Sequence, residues 1–169
     1  MAKEVLYLAN QFGFSETGRI LLDKIIIPPL ESKYKVLEPF REGARFYPKS
    51  AINSTDSYKK KFELLKDFNY KLSNYNNHLM RQSNKMTPIL DGGHSVDDGI
   101  GSEIGLFYSL RKGPIIALRT DLRMNENIAC IVNLQIERYI YDSGGKIFTS
   151  LDEWYAGLGI ERWREFVKI

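Results

Sequence analysis

The sequence predicts a doubly wound α/β domain built on a parallel sheet, and two observations carry that reading. Val5-Leu6-Tyr7-Leu8-Ala9 is a continuous apolar run of strand length, the pattern of a strand buried on both faces. Further strand-length runs then alternate with stretches whose apolar residues recur three and four apart, which implies parallel strands joined by helices. The 169 residues suit one domain, residues 1–169, with no internal repeat and no interdomain linker.

The elements follow in order. After the first strand, Asn10 to Phe14 is turn-like, and Ser15 offers an N-cap with Glu16 in the first turn of a helix. Ile20, Leu21, Lys24 and Ile25 keep helical spacing until Pro28-Pro29, which must break or re-aim the helix. Tyr34 to Pro39 reads as the second strand. Residues 41–56 are polar and irregular and read as a loop long enough to serve function. From Ser57 to about Gln82, Phe62, Leu65, Phe68, Leu72, Tyr75 and Leu79 mark a helix. Met86 to Leu90 is the third strand, with Pro88 awkward inside it. A helix runs from about Ser102 to Arg111 and stops at Gly113. Pro114 to Arg119 is the fourth strand, 125–141 a helix, 146–148 a fifth strand, and Leu151 to Val167 a last amphipathic helix.

Composition narrows the class. Hydrophobic residues make up 43% and charged residues 27%, as in a globular chain, and the net charge of +3 is scattered. Nothing points to polymeric nucleic acid. The single cysteine, Cys130, cannot form an internal disulfide and reads as a small buried hydrophobe. No apolar run has the length of a leader or a membrane span, so a cytoplasmic location is expected. His78 reads as exposed and His94 as a turn residue beside the site; neither pairs with Cys or acidic residues at metal-ligand spacing.

Ligands of such sheets bind beyond the C-terminal strand ends. Three segments are expected there: Asn10 to Phe14, Asp91 to Glu103, and Thr120 to Arg123. The densest is Asp97-Asp98-Gly99-Ile100-Gly101-Ser102-Glu103, whose glycines allow a tight turn and close backbone approach. Glu103 in the first turn of the next helix would be kept ionised by the helix dipole, as a glycosyl nucleophile must be. Asp97 could reach the same pocket and supply the second carboxylate that glycosidic chemistry uses. Glu103 could equally be a dipole partner or capping-box member, and Asp97 and Asp98 plain turn residues. The glycine loop lacks the Lys-Ser/Thr of a phosphate-binding P-loop.

A resemblance bears on that choice. Tyr7-Leu8-Ala9, Phe12-Gly13-Phe14-Ser15-Glu16, Glu38-Pro39-Phe40, Ile89-Leu90-Asp91-Gly92, Asp97-Asp98-Gly99, Glu103-Ile104-Gly105, Arg119 to Arg123, and Val132-Asn133-Leu134 together resemble the nucleoside 2-deoxyribosyltransferase family. These blocks keep the family's order from residue 5 to about 135. The resemblance implies a flavodoxin-like doubly wound sandwich with a five-stranded, mostly parallel sheet. It also implies a two-step retaining transfer: Glu103 attacks C1′ of a deoxyribose and expels the base, and a second base attacks the glycosyl-enzyme. Asp97 then matches the residue that holds the base and assists its protonation, and Tyr7 the one that orients the nucleophile. Gln11, Phe12, Phe14, Asn76 and Gly99 become substrate-binding candidates, although Phe12 and Phe14 also read as core. Asn133 matches an asparagine that reaches sugar hydroxyls in a neighbouring subunit's site, so a homo-oligomer with shared sites is expected. Substrates are nucleosides and nucleobases, with no metal or organic cofactor.

The chain departs from the family at Asn76 and Asn84, where acidic residues are usual, at Pro88, and in 41–56. Two alternatives stand beside transfer. A hydrolase of nucleoside monophosphates would want a basic loop after the first strand, whereas this chain has no Arg or Lys there before Arg19. A non-catalytic nucleotide-binding module would not need both Asp97 and Glu103.

Overall fold

The computed structural model describes residues 2–93, 95–123, 125 and 127–168. Strand β1 (Val5–Ala9) lies between β2 (Lys35–Leu37) and β3 (Lys85–Pro88), and both pairings are parallel. A second parallel pair, β4 (Ile116–Leu118) with β5 (Lys146–Phe148), lies beside β3. Two isolated parallel bridges, Met86 to Ile115 and Ile89 to Leu118, join the two sheets. The expected five strands are therefore present, but as three plus two rather than one uninterrupted sheet. Pro88 helps explain the junction. It ends β3, so its missing N–H falls at the margin of the ladder, and Ile89 and Leu90 donate instead to Ala9 and Leu118 at 2.9 and 2.8 Å.

Alternation along β1 sends Tyr7 and Ala9 to one face and Leu6 and Leu8 to the other, and both faces are covered. On the first face pack α5 (Tyr58–Gln82), α6 (Asp98–Leu110) and α7 (Leu134–Asp142), through Leu79, Ile104, Phe107 and Ile140. On the second pack α1 (Glu16–Leu21), α2 (Ile27–Lys33) and α8 (Leu151–Gly157), through Leu21, Ile27, Leu30 and Trp154. This is the doubly wound arrangement the alternating pattern predicts.

Pro28-Pro29 re-aims the first helix without breaking it. Residues 22–26 open into a π turn, and α2 begins with the prolines in its first turn. Proline cannot donate to the carbonyls of Lys24 and Ile25, and other groups take over. Lys168 N–H donates to Lys24 at 2.9 Å, and the Tyr155 hydroxyl to Ile25 at 2.9 Å.

Five expectations need correction. Residues 41–56 are not a structureless loop: α3 (Pro39–Gly43), a 3-10 turn at 44–46 and α4 (Lys49–Asn53) lie against α5. The helix expected at 102 begins at Asp98, because Asp97 caps it by accepting from Gly99 and Ile100 N–H at 2.9 and 3.2 Å. The helix expected over 125–141 starts only at Leu134, behind the cap Asn133, and Cys130 is half-buried in the irregular segment before it. The last helix ends at Gly157, because Gly159 turns left-handed with φ of +72°. Among the described residues no helix is long and apolar enough to cross a membrane.

Candidate functional site

Beyond the C-terminal ends of β1 and β2 lies a cavity of about 810 Å³. Its polar side is formed by Asn10, Glu38, Asn76, Asp97 and Glu103, and its apolar side by residues such as Phe14, Phe40, Tyr47, Phe68 and Leu72.

Glu103 sits in the second turn of α6 and faces Tyr7, the middle residue of β1. Its Oε1 accepts a 2.6 Å hydrogen bond from the Tyr7 hydroxyl. Tyr7 is fully buried and does not itself line the cavity; its ring is fixed by the core while its hydroxyl reaches the site through Glu103. The capping of α6 at Asp97 overturns the expectation that the helix dipole keeps Glu103 ionised. The carboxyl is one turn too deep for a strong dipole effect, and its pKa is instead raised to about 7. Burial is the largest cause, and the Asp97 and Glu38 charges add to it; the Tyr7 hydrogen bond opposes them. Burial, followed by the Glu103 charge and hydrogen bond, also raises Tyr7's pKa well above the usual phenol value, so Tyr7 stays a donor.

The other candidates divide. Asp97, Gly99, Phe14 and Asn76 line the cavity with Glu103. Asp97 is both a helix cap and a cavity wall. Asn76, on α5, lines the cavity, and among the described residues its buried Oδ1 has no hydrogen-bond partner. Phe14 is 75% exposed and meets Phe40 edge-on, centroids 4.7 Å apart.

Phe12 and Gln11 do not belong to the cavity. Phe12 packs into the apolar core on the second face. Gln11 donates to the Asp91 carbonyl and braces one loop against the next. Asn133 lies outside its own chain's cavity, where it caps α7 by accepting from Gln135 at 3.0 Å and Ile136 at 3.4 Å. Asn84 accepts from Val5 N–H at 3.0 Å, at the opposite end of the sheet. His94 lies outside the described residues.

The segment Thr120 to Arg123, expected at the site, does not line the cavity. Thr120 and Asp121 grip the Asp91 carboxylate, with Thr120 N–H and hydroxyl both at 2.6 Å. Arg119, 1% exposed, donates to the carbonyls of Leu90, Gly93 and Arg123. Its place in the cavity is taken by 38–49, whose polar residues read as loop and whose aromatics lack a period. Glu38 reads in the sequence only as the end of the second strand and part of a family block, with no role attached. Among the described residues no group of three or more His, Cys, Asp and Glu is placed to hold a metal ion.

A family model described as nucleoside 2-deoxyribosyltransferase matches residues 6–138. Among solved structures, the fold is similar to a 2-desoxiribosyltransferase from Leishmania mexicana. The TM-score is 0.61 and the identity 17%, over 94% of this chain and 98% of that one. It is also similar to the 2-deoxyribosyltransferase of the psychrotolerant bacterium Bacillus psychrosaccharolyticus, with a TM-score of 0.56 and 18% identity over 97% of each chain. No curated protein matches by sequence.

Proposed function

Because the chain belongs to the nucleoside 2-deoxyribosyltransferase family, we propose that it moves a 2-deoxyribosyl group between nucleobases through a glycosyl ester on Glu103. The observation that carries this reading is the Glu103 carboxyl, on the wall of a large cavity and held by the Tyr7 hydroxyl at 2.6 Å.

The chemistry follows from the setting. As the C1′–N bond breaks, its electron pair leaves with the base, and an ionised Glu103 oxygen bonds to C1′. The free base takes a proton. An acceptor base nitrogen then attacks C1′ as it returns a proton to the group that protonated the first base, and the ester electrons return to the carboxylate. Two inversions retain the configuration at C1′. Burial that makes the Glu103 charge costly favours attack, because the ester is neutral and the desolvation cost disappears as it forms. Asp97 Oδ1 is held by two helix amides, so proton exchange with the leaving base falls to Oδ2. Phe14 and Phe40 offer apolar faces to a base, and the buried Asn76 oxygen an acceptor for a substrate N–H or O–H.

Asn133 serves a neighbouring copy in this reading. The segment around it exposes large apolar side chains, with Leu122 at 96%, Ile128 at 91% and Leu134 at 58%. Exposed apolar side chains of this kind suit a subunit interface.

Hydrolysis of nucleoside monophosphates is the second reading, because Arg19, Arg41 and Lys49 line the cavity although the loop after β1 is uncharged. Two of these are already engaged. Arg19 Nε donates to the Gly13 carbonyl at 2.7 Å, and Arg41 pairs with Asp23 and Glu31 at 3.1 and 2.9 Å. That favours the uncharged nucleoside. Incubation with deoxyinosine or thymidine plus free adenine, and in parallel with a deoxynucleoside monophosphate, followed by chromatography, separates the readings. New deoxyadenosine supports transfer, free base released only from a monophosphate supports hydrolysis, and binding without turnover refutes both.

A further inference from the structure

Glu38 is a buried carboxylate at the cavity, 2% exposed, just past the end of β2. Among the described residues it forms no salt bridge and is held by neutral donors. Its Oε1 accepts from the Asn10 amide at 2.8 Å and from Phe40 N–H at 3.2 Å, and its Oε2 from Arg41 N–H at 2.8 Å. Asn10, 7% exposed, in turn accepts from Gly13 N–H at 3.3 Å. One carboxylate therefore ties the turn after β1 to the start of α3. From these two segments come Phe14 and Phe40, which meet edge-on at the cavity. The fit between the segments is close: a Cβ on Gly13 would stand 2.2 Å from the Phe40 ring.

A neutral Ser or Asn would cap a helix as well as Glu does, so capping alone leaves a buried charge near Glu103 unexplained. Granted the nucleophile assigned above, we infer that Glu38 is a positioning residue for the transfer. Its carboxylate holds the two aromatic walls in register through Asn10 and the start of α3, and adds a negative charge to the cavity that Glu103 also lines. That charge opposes ionisation of Glu103, as does Asp97 before α6, while the Tyr7 hydroxyl on β1 favours it. The remaining charged groups at the cavity are Asp23 and the cations Arg19, Arg41 and Lys49.

The test compares Glu38→Gln, Asn10→Ala and Glu103→Ala in the full-length protein. It measures deoxyadenosine formation from deoxyinosine and adenine as a function of pH, with thermal melts as a check on folding. In Glu38→Gln the acid limb of kcat/KM moves to lower pH, because removing a neighbouring negative charge eases Glu103 ionisation. KM for the nucleoside rises on the order of tenfold as the walls lose register. Asn10→Ala raises KM likewise but leaves the limb in place, and it carries the test if Glu38→Gln does not fold. An unmoved limb and unchanged KM in a folded Glu38→Gln, or unchanged KM in Asn10→Ala, overturns the inference. If Glu103→Ala is dead in that case, the nucleophile reading survives; if Glu103→Ala is as active as wild type, both fall.

Discussion

The Tyr7 hydroxyl donates a 2.6 Å hydrogen bond to Glu103 Oε1, joining the middle strand of the three-stranded sheet to a residue 96 positions later. This one contact fixes where the carboxyl points and holds its pKa below what burial alone would set. Hydrogen bonds to charged groups contribute about 1.5–3 kcal/mol. Tyr7→Phe is therefore expected to lower kcat/KM about 10- to 100-fold at neutral pH. Without its donor Glu103 titrates higher, so the acid limb moves up and the loss shrinks as pH rises above it. A loss independent of pH would separate orientation from ionisation.

Glu103 also makes stability depend on pH. Its pKa is about 7 in the folded chain, against an ordinary value of 4.5. Between those values the folded state binds more protons than the unfolded state, so stability is lost as pH rises from about 4.5 to about 7. Glu103→Gln removes this term. The variant is expected to be more stable than wild type by roughly 1–3 kcal/mol above pH 7 and to match it in acid, the lower figure allowing for solvent screening. Denaturant melts at about pH 5 and about pH 8 check the difference. Parallel curves for the two proteins would contradict the burial argument.

Much of this centre is legible in the sequence, and the exceptions have physical causes. The β1 run depends on local pattern and lies where expected; the glycine-rich stretch before Glu103 is at the site but is helix rather than bend. Asp97-Asp98-Gly99-Ile100-Gly101 reads as a turn because glycine weakens a helix. Only the Asp97 cap moves the helix start back to Asp98 and Glu103 into its second turn. The cavity wall at 38–49 is illegible because short helices draw their stability from α5, a contact no local window contains. Thr120 to Arg123 reads as part of the site for the opposite reason: no local pattern shows that its polar groups, with those of Arg119, are consumed by Asp91 and by carbonyls rather than offered to a ligand. Gln11 and Phe12 share a turn with Phe14, but only Phe14 faces the cavity.

Asp97 carries two roles that one pair of variants separates. Asn caps helices as well as Asp does, whereas Ala costs about 1 kcal/mol. Asp97→Asn is expected to melt like wild type while losing turnover, and Asp97→Ala to lose both. Full activity in Asp97→Asn would reduce the residue to a cap.

Sharing of sites between subunits is tested by mixing inactive proteins. Asn133→Ser keeps a cap for α7 but is too short to reach a neighbour's sugar. Unfolded and refolded together, Asn133→Ser and Glu103→Ala are expected to regain activity that neither has alone, because some sites then combine an intact residue from each chain. No recovery, in an assembly whose size is unchanged, would place Asn133 outside the site.

The most direct test of the central claim is to trap the covalent intermediate. The protein is incubated with deoxyinosine without an acceptor base, quenched in acid, digested, and mapped by mass spectrometry. The account predicts one deoxyribosyl group on the peptide containing Glu103, lost when adenine is added before the quench and absent from Glu103→Gln. Turnover with the sugar attached to another residue, or wild-type turnover in Glu103→Gln, would contradict it.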